Sequence, residues 1–128
     1  MVSYYSMSWY TDLDHTVYAL KLRTPDHWYI GSTYRAWHLR LAEHVEGYGS
    51  VWSQKHGFGS VHKKFTVPGH RANRMENETV LFYMRHVAKD WRNVKGGDYT
   101  WSRPIDMENP DHTFWVPEEF GGQRHVDY

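Results

Sequence analysis

Residues 16–33 read TVYALKLRTPDHWYIGST, two short β-prone runs on either side of a turn. Residues 16–22 and 27–31 are rich in apolar and aromatic side chains. Thr24-Pro25-Asp26 between them is turn chemistry: proline fixes φ and aspartate bonds the backbone that follows. The stretch predicts a β-hairpin. With a four-residue loop over 23–26, Leu22 faces His27 and Leu20 faces Tyr29. Tyr18 is then the diagonal neighbour of Tyr29 on the same face, about 7–8 Å away. Two readings of that pair stand side by side. The tyrosines pack next to Leu20 and Leu22 as ordinary aromatics, or they bring two phenols to one site.

Working outward, Ser32 or Thr33 is placed to cap a helix over 34–46, where Ala36, Trp37, Leu41 and Val45 recur at helical spacing. Gly47-Tyr48-Gly49-Ser50 ends it, and 51–57 reads as a loop or short helical turn. Residues 60–67 suit a third strand closed by Pro68-Gly69. Residues 70–89 suit a second long helix, with Met75, Thr79, Phe82 and Tyr83 at helical spacing. Gly96-Gly97 marks a sharp loop. Residues 1–14 read as an irregular lead-in, and the Pro- and Gly-punctuated 101–128 as an irregular wrap or partly disordered tail. The expected fold class is α+β: a small antiparallel sheet of about three strands, opened by the N-terminal β-hairpin and flanked by helices. Residues 1–100 form the domain, and 101–128 an extension packed on it or trailing it.

A chain of 128 residues suits a single core. The absence of cysteine removes disulfides, thiol nucleophiles and Cys-based zinc sites, and suits an intracellular home. Fifteen basic and fifteen acidic residues balance, which argues against a bulk nucleic-acid coat protein; a catalytic groove needs only a local basic stripe. None of the ten histidines forms a helical HExxH pair, so a histidine metal site is not expected. No apolar run approaches the roughly 20 residues that span a bilayer, and 1–15 lacks the basic start and apolar stretch of a secretory signal. No membrane partner is expected.

In residues 34–44, YRAWHLRLAEH, Arg40 and His44 lie four apart on one helix face. Arginine offers a planar, permanently charged fork for a phosphate, and histidine can hold a water or pass a proton; the plain alternative is a solvated face. Glu76 and Glu78 open the second helix. A carboxylate there can hold a hard cation such as Mg²⁺, or simply complement the helix N-terminus.

In this order and at these spacings, the residues resemble the GIY-YIG nuclease superfamily. Val17-Tyr18-Ala19 stands for the first motif, lacking its glycine and isoleucine but keeping its tyrosine, and Tyr29-Ile30-Gly31 is the second motif intact. Arg40 and His44 match an arginine followed four residues later by histidine or tyrosine. Ala72 and Glu76 match a helical glutamate four residues after an alanine, a register that favours Glu76 over Glu78. GYGSVWSQKHG (47–57) and NVKGGDY (93–99) resemble the loop and the "VRGG" element of one branch, with Asn93 nearest to a polar position that follows the glutamate helix. The resemblance covers residues 16–99.

The resemblance implies a metal-dependent endonuclease that hydrolyses DNA phosphodiesters to 5′-phosphate and 3′-hydroxyl ends. Glu76 would hold one Mg²⁺ (or Mn²⁺), and Arg40 would clamp a non-bridging oxygen. Tyr18 and Tyr29 would flank the water, with Tyr18 favoured to take its proton and His44 sharing it. Gly31 would leave room for substrate or for the helix start. A free phenol titrates near pH 10, so this role asks for positive charge beside Tyr18. Lys55, His56, Lys63, Lys64 and Arg71 surround the helix-loop-strand region and would track phosphates, with Asn93 a further substrate contact, and Trp52 and the aromatic tail would stack on exposed bases; the plain alternative is a solvated basic loop and core tryptophans. With no zinc finger or helix-turn-helix pattern in the chain, specificity would come from substrate structure, an accessory protein or self-association. RNA is an open alternative to DNA, and a stand-alone domain with this element hints at a phage or viral source. Two other classes compete: a module of the same fold that grips nucleic acid without cutting, and an aromatic-rich carbohydrate- or protein-binding domain that needs none of the charged set.

Overall fold

The structure is a computed structural model that describes residues 13–97, 113–114, 118–120 and 124–125. The hairpin forms with the expected parity. Strand β1 (Asp14–Leu22) runs antiparallel to β2 (Trp28–Thr33), with Leu20 opposite Tyr29 and Tyr18 opposite Gly31. The amide of Leu22 donates to the His27 carbonyl at 2.9 Å, closing the four-residue loop. In the turn, Asp26 adopts φ 58°. Its carboxylate accepts from the Lys89 and Asp90 amides, Trp28 Nε1 and Asn93 Nδ2, which ties the turn to the chain beyond the last helix.

Alternation along these strands divides the molecule into two layers around the sheet. Val17, Ala19 and Ile30 point to one face, where α3 (Gly69–His86) covers them with Ala72, Val80, Tyr83 and Met84. Tyr18, Leu20, Leu22 and Tyr29 point to the other. There, α1 (Trp37–Val45) and α2 (Val51–His56) supply Trp37 and Trp52.

The sheet differs from the expected three antiparallel strands. It has four, in the order β3-β1-β2-β4, and it is mixed. Strand β4 (Val94–Gly96) pairs parallel to β2 within the stretch read as a loop. Fully buried Val94 belongs to the α3-side core, and that burial holds the short segment extended despite Gly96. Strand β3 (Phe58–Pro68) is an edge antiparallel to β1, with a register shift that leaves His62 unpaired between Val61 and Lys63.

Helix α1 starts at Trp37 because Ser32 and Thr33 are still in β2; Thr33 Oγ1 accepts from the Arg35 amide, and the N-cap, Ala36, provides no side-chain bond. Helix α2 is a true helix, its start fixed by Ser50 Oγ accepting from the Ser53 amide at 3.0 Å. Of the C-terminal extension, Phe120 stacks on Trp91 with centroids 4.9 Å apart and Glu119 pairs with Arg85, so this part packs on the domain. Strands β5 (Thr113–Phe114) and β6 (Arg124–His125) form a two-residue ladder. Of the lead-in read over 1–14, Asp14 belongs to β1, while residues 1–12 and the rest of the tail lie outside the described residues. No described helix is long and apolar enough to cross a membrane.

Candidate functional site

The two tyrosines share a face as their parity demands, with ring centroids 6.3 Å apart. A Cβ on Gly31 would lie 2.6 Å from Tyr18 Oη and 2.9 Å from Tyr29 Cε2. Glycine there makes room for the tyrosines themselves, rather than for substrate or the helix start. Gly49 does the same for His44, whose ring any Cβ at that position would overlap.

Helix α1 lays Arg40 and His44 across Tyr18. Arg40 Nε donates to Tyr18 Oη at 3.0 Å, and His44 Nε2 lies 2.8 Å from the same oxygen. Behind His44, its Nδ1 is 3.1 Å from Ser53 Oγ, which donates to the Ser50 carbonyl and accepts from Ser50 Oγ. With its single proton committed, Ser53 Oγ accepts from His44 Nδ1–H. Nε2 is therefore the bare nitrogen, and the Tyr18 hydroxyl donates to it. Exposure grades outward through the network: Tyr18 is 0% exposed and His44 2%, while the Arg40 side chain is 21% exposed and is the member that reaches solvent. Trp37 closes over Tyr18 at 4.9 Å between centroids.

Burial sets the protonation states. It raises the Tyr18 phenol well above the usual tyrosine range, with Tyr29 and Glu76 adding to the rise and Arg40 opposing it. Positive charge does sit beside Tyr18 as expected, but desolvation outweighs it. Tyr29 is raised by burial and by Glu76, against Arg40 and Ser50. Burial and the Arg40 charge bring His44 down to about 4. At neutral pH the centre is a phenol donating to a neutral imidazole.

Glu76 approaches from α3. It accepts from Ser32 Oγ at 2.9 Å and from the Gly97 amide at 3.3 Å, bridging the ends of β2 and β4. Glu78, two positions on, instead pairs with Arg74 at 3.0 Å. Of the two acids, Glu76 is the one that reaches the strand ends, from the α3 face of the sheet. A cleft of about 290 Å³ lies beside it, lined by His15, Ser32, Gly69, Ala72 and Asn73. Among the described residues there is no cluster of three or more His, Cys, Asp or Glu that would cage a metal. A hard cation that keeps waters and takes oxygens from a phosphate needs only one or two carboxylates, and Glu76 beside an open cleft fits that requirement.

The other predicted contacts scatter. Lys64 lies opposite Tyr18 and reaches over the Trp37 ring, 5.4 Å from its centroid, on the tyrosine face. Lys63 lies opposite Ala19 and lines a groove with Phe65, Met75 and Tyr83 on the α3 face. Lys55 and His56 end α2 beside the hairpin turn, where His56 Nδ1 bonds Thr24 Oγ1 at 3.1 Å. Asn93 bonds Asp26 at that same turn. Trp52 is no stacking platform: it is buried, and its Nε1 donates to the Trp28 carbonyl at 3.0 Å.

Sequence reasoning passed over four contributors. Ser53 orients His44, and Ser32 binds Glu76. Lys95 faces the tyrosine side opposite Tyr29, its ammonium 5.2 Å from the Trp52 centroid and its pKa lowered by burial to about 8. Arg35 joins Arg40 on the carboxylate of Glu43. Of these only Ser53 carries a local signal, three residues after the helix-capping Ser50.

No protein-family model, curated protein or solved structure matches the chain.

Proposed function

We propose that this protein is a metal-dependent endonuclease of the GIY-YIG type that hydrolyses DNA phosphodiesters, leaving 5′-phosphate and 3′-hydroxyl ends. One observation carries the reading: Tyr18 Oη accepts from Arg40 Nε at 3.0 Å and lies 2.8 Å from His44 Nε2, a hydroxyl held between two groups suited to phosphate binding and proton transfer. Ordinary core packing explains Tyr18 beside Leu20. It does not explain why a buried histidine and a half-buried arginine both converge on its hydroxyl, since a buried polar group is costly unless fully hydrogen-bonded.

Arg40, the solvent-reaching member, meets a phosphate first and hydrogen-bonds a non-bridging oxygen, stabilising charge that grows in the transition state. Tyr18 need not become a free phenolate. As a water attacks phosphorus, its proton passes to Tyr18 Oη while the Tyr18 proton moves to His44 Nε2. The P–O bond to the leaving 3′ oxygen breaks as the new P–O bond forms, the departing alkoxide takes a proton from solvent to become the 3′-hydroxyl, and the imidazolium keeps its Nδ1–H bond to Ser53. Phosphate at Arg40 offsets one of the two causes that hold His44 down, so substrate itself makes the acceptor more basic. Tyr29, held beside Tyr18 and His44, walls the other side of the water. Glu76 would hold Mg²⁺ or Mn²⁺, which when bound would supply charge neutralisation for the reaction.

The test is to incubate wild type and Glu76→Gln with supercoiled plasmid, single-stranded DNA, RNA and a branched junction, in Mg²⁺ or EDTA. The expected result is Mg²⁺-dependent cleavage that the variant loses while it still binds. Cleavage by Glu76→Gln at the wild-type rate would refute the site. Binding by both proteins with no cleavage of any substrate would identify a nucleic-acid-binding module instead.

A further inference from the structure

At the mouth of the site two arginines converge on one acid. Glu43 Oε1 accepts from Arg35 Nη2 and lies 3.5 Å from Arg40 Nη1, while Arg40 Nε holds Tyr18. All three side chains reach solvent, at 43% for Arg35, 34% for Glu43 and 21% for Arg40. The geometry is that of a phosphodiester oxygen gripped by two guanidinium groups, with a carboxylate oxygen standing in its place.

Two details set Glu43 apart from a routine surface pair. It falls in the last turn of α1, where the helix dipole disfavours a negative charge, while the first turn carries no acid. Its partner Arg35 lies outside the helix, at a position pinned by the bond from its amide to Thr33 Oγ1 at the end of β2. Arg35 is thus anchored to the strand that carries Tyr29, and the helix brings the acid to it.

We propose that Glu43 occupies the substrate-phosphate position between Arg35 and Arg40 when no substrate is bound, and that Arg35 is a second phosphate-binding residue of this site. The inference rests on the nuclease reading. Substrate exchanges one anion for another at two pre-oriented arginines, so an uncharged group at position 43 leaves both arginines available and removes the competitor.

The experiment measures the affinity of a fluorescent DNA duplex and a branched junction across a salt series, in the Glu76→Gln background so that nothing is cut. Glu43→Gln should tighten binding by up to about fivefold, the worth of one exposed ion pair. Glu46→Gln removes the same charge from the C-cap of α1, off the two guanidinium groups that hold Glu43, and should change it by less than about twofold. Arg35→Ala should weaken binding and lower the salt slope by about 0.9 on duplex, as expected for one lost phosphate contact. In Arg35→Ala/Glu43→Gln most of the gain should vanish. Equal effects of Glu43→Gln and Glu46→Gln, or an unchanged slope in Arg35→Ala, would overturn the inference while Mg²⁺-dependent cleavage by wild type kept the nuclease reading. Failure of every variant to bind either probe, with no cleavage by wild type, would overturn both.

Discussion

The two faces of the β1–β2 hairpin are built from alternate residues of the same strands, yet they solve different problems. On the α3 face, Ala19 and Ile30 meet Val80, Met84 and Val94, with no buried charge among them. On the α1 face, one position away, Tyr18 and Tyr29 sit with buried His44 and partly buried Arg40, groups whose ionisation the low-dielectric surroundings resist. The first face is what burial favours; the second is what burial opposes. Strand parity thus sets Tyr18, Tyr29, Arg40 and His44 apart from the apolar core, with Glu76 alone of the candidate site coming from α3.

That separation can be attacked from either side. The largest effect belongs to the apolar face. Met84→Ala should cost about 2–5 kcal/mol in urea unfolding and leave cleavage per folded molecule unchanged; a fall in rate at full folding would show that the faces are coupled.

His44 gives a smaller effect with a definite sign. Its folded pKa of about 4 lies below the unfolded value near 6.5. As pH falls through that window the unfolded chain takes up a proton that the folded chain refuses, so stability drops, by an order of 2–3 kcal/mol. Urea titrations at successive pH values should show this slope in wild type and lose that share of it in His44→Asn. An unchanged slope would mean that His44 is not held neutral.

The smallest effect is also the sharpest. Lys63 and Lys64 are neighbours on opposite faces. Lys64→Ala should weaken nucleic-acid binding a few-fold and reduce the salt slope by about 0.9 on duplex, whereas Lys63→Ala should do neither. Equal losses would place the substrate along the strand edge rather than across the tyrosine face.

Much of this is legible in the sequence alone. A Pro-Asp turn limits the loop, the loop length sets parity, and parity puts Tyr18 beside Tyr29. The spacing of Arg40 and His44 sets their common helix face in the same way. What escaped depends on non-local geometry. Strand β4 exists because Val94 fills a hole formed by α3 and β2, which no property of Val-Lys-Gly-Gly announces. The faces of Lys63 and Lys64 follow from a pairing register interrupted at His62, and a strand pattern alone cannot supply that register. Asn93 and Trp52 are polar and aromatic enough to suggest substrate contacts, but they are used up on Asp26 and on the Trp28 carbonyl. Glu76 and Glu78 separate only when Ser32 and the Gly97 amide are seen to receive one of them.

The most direct measurement sets Tyr18→Phe against Val17→Ala, adjacent residues on opposite faces, and reads plasmid-cleavage rate and urea stability for each. The account predicts that Tyr18→Phe cuts the rate by about 10²–10⁴-fold at a stability cost no larger than about 1–3 kcal/mol, that of one unsatisfied buried partner. Val17→Ala should lose stability and keep its rate. A Tyr18→Phe protein that cleaves at the wild-type rate would contradict the account, because the hydroxyl between Arg40 and His44 would then have no part in the chemistry.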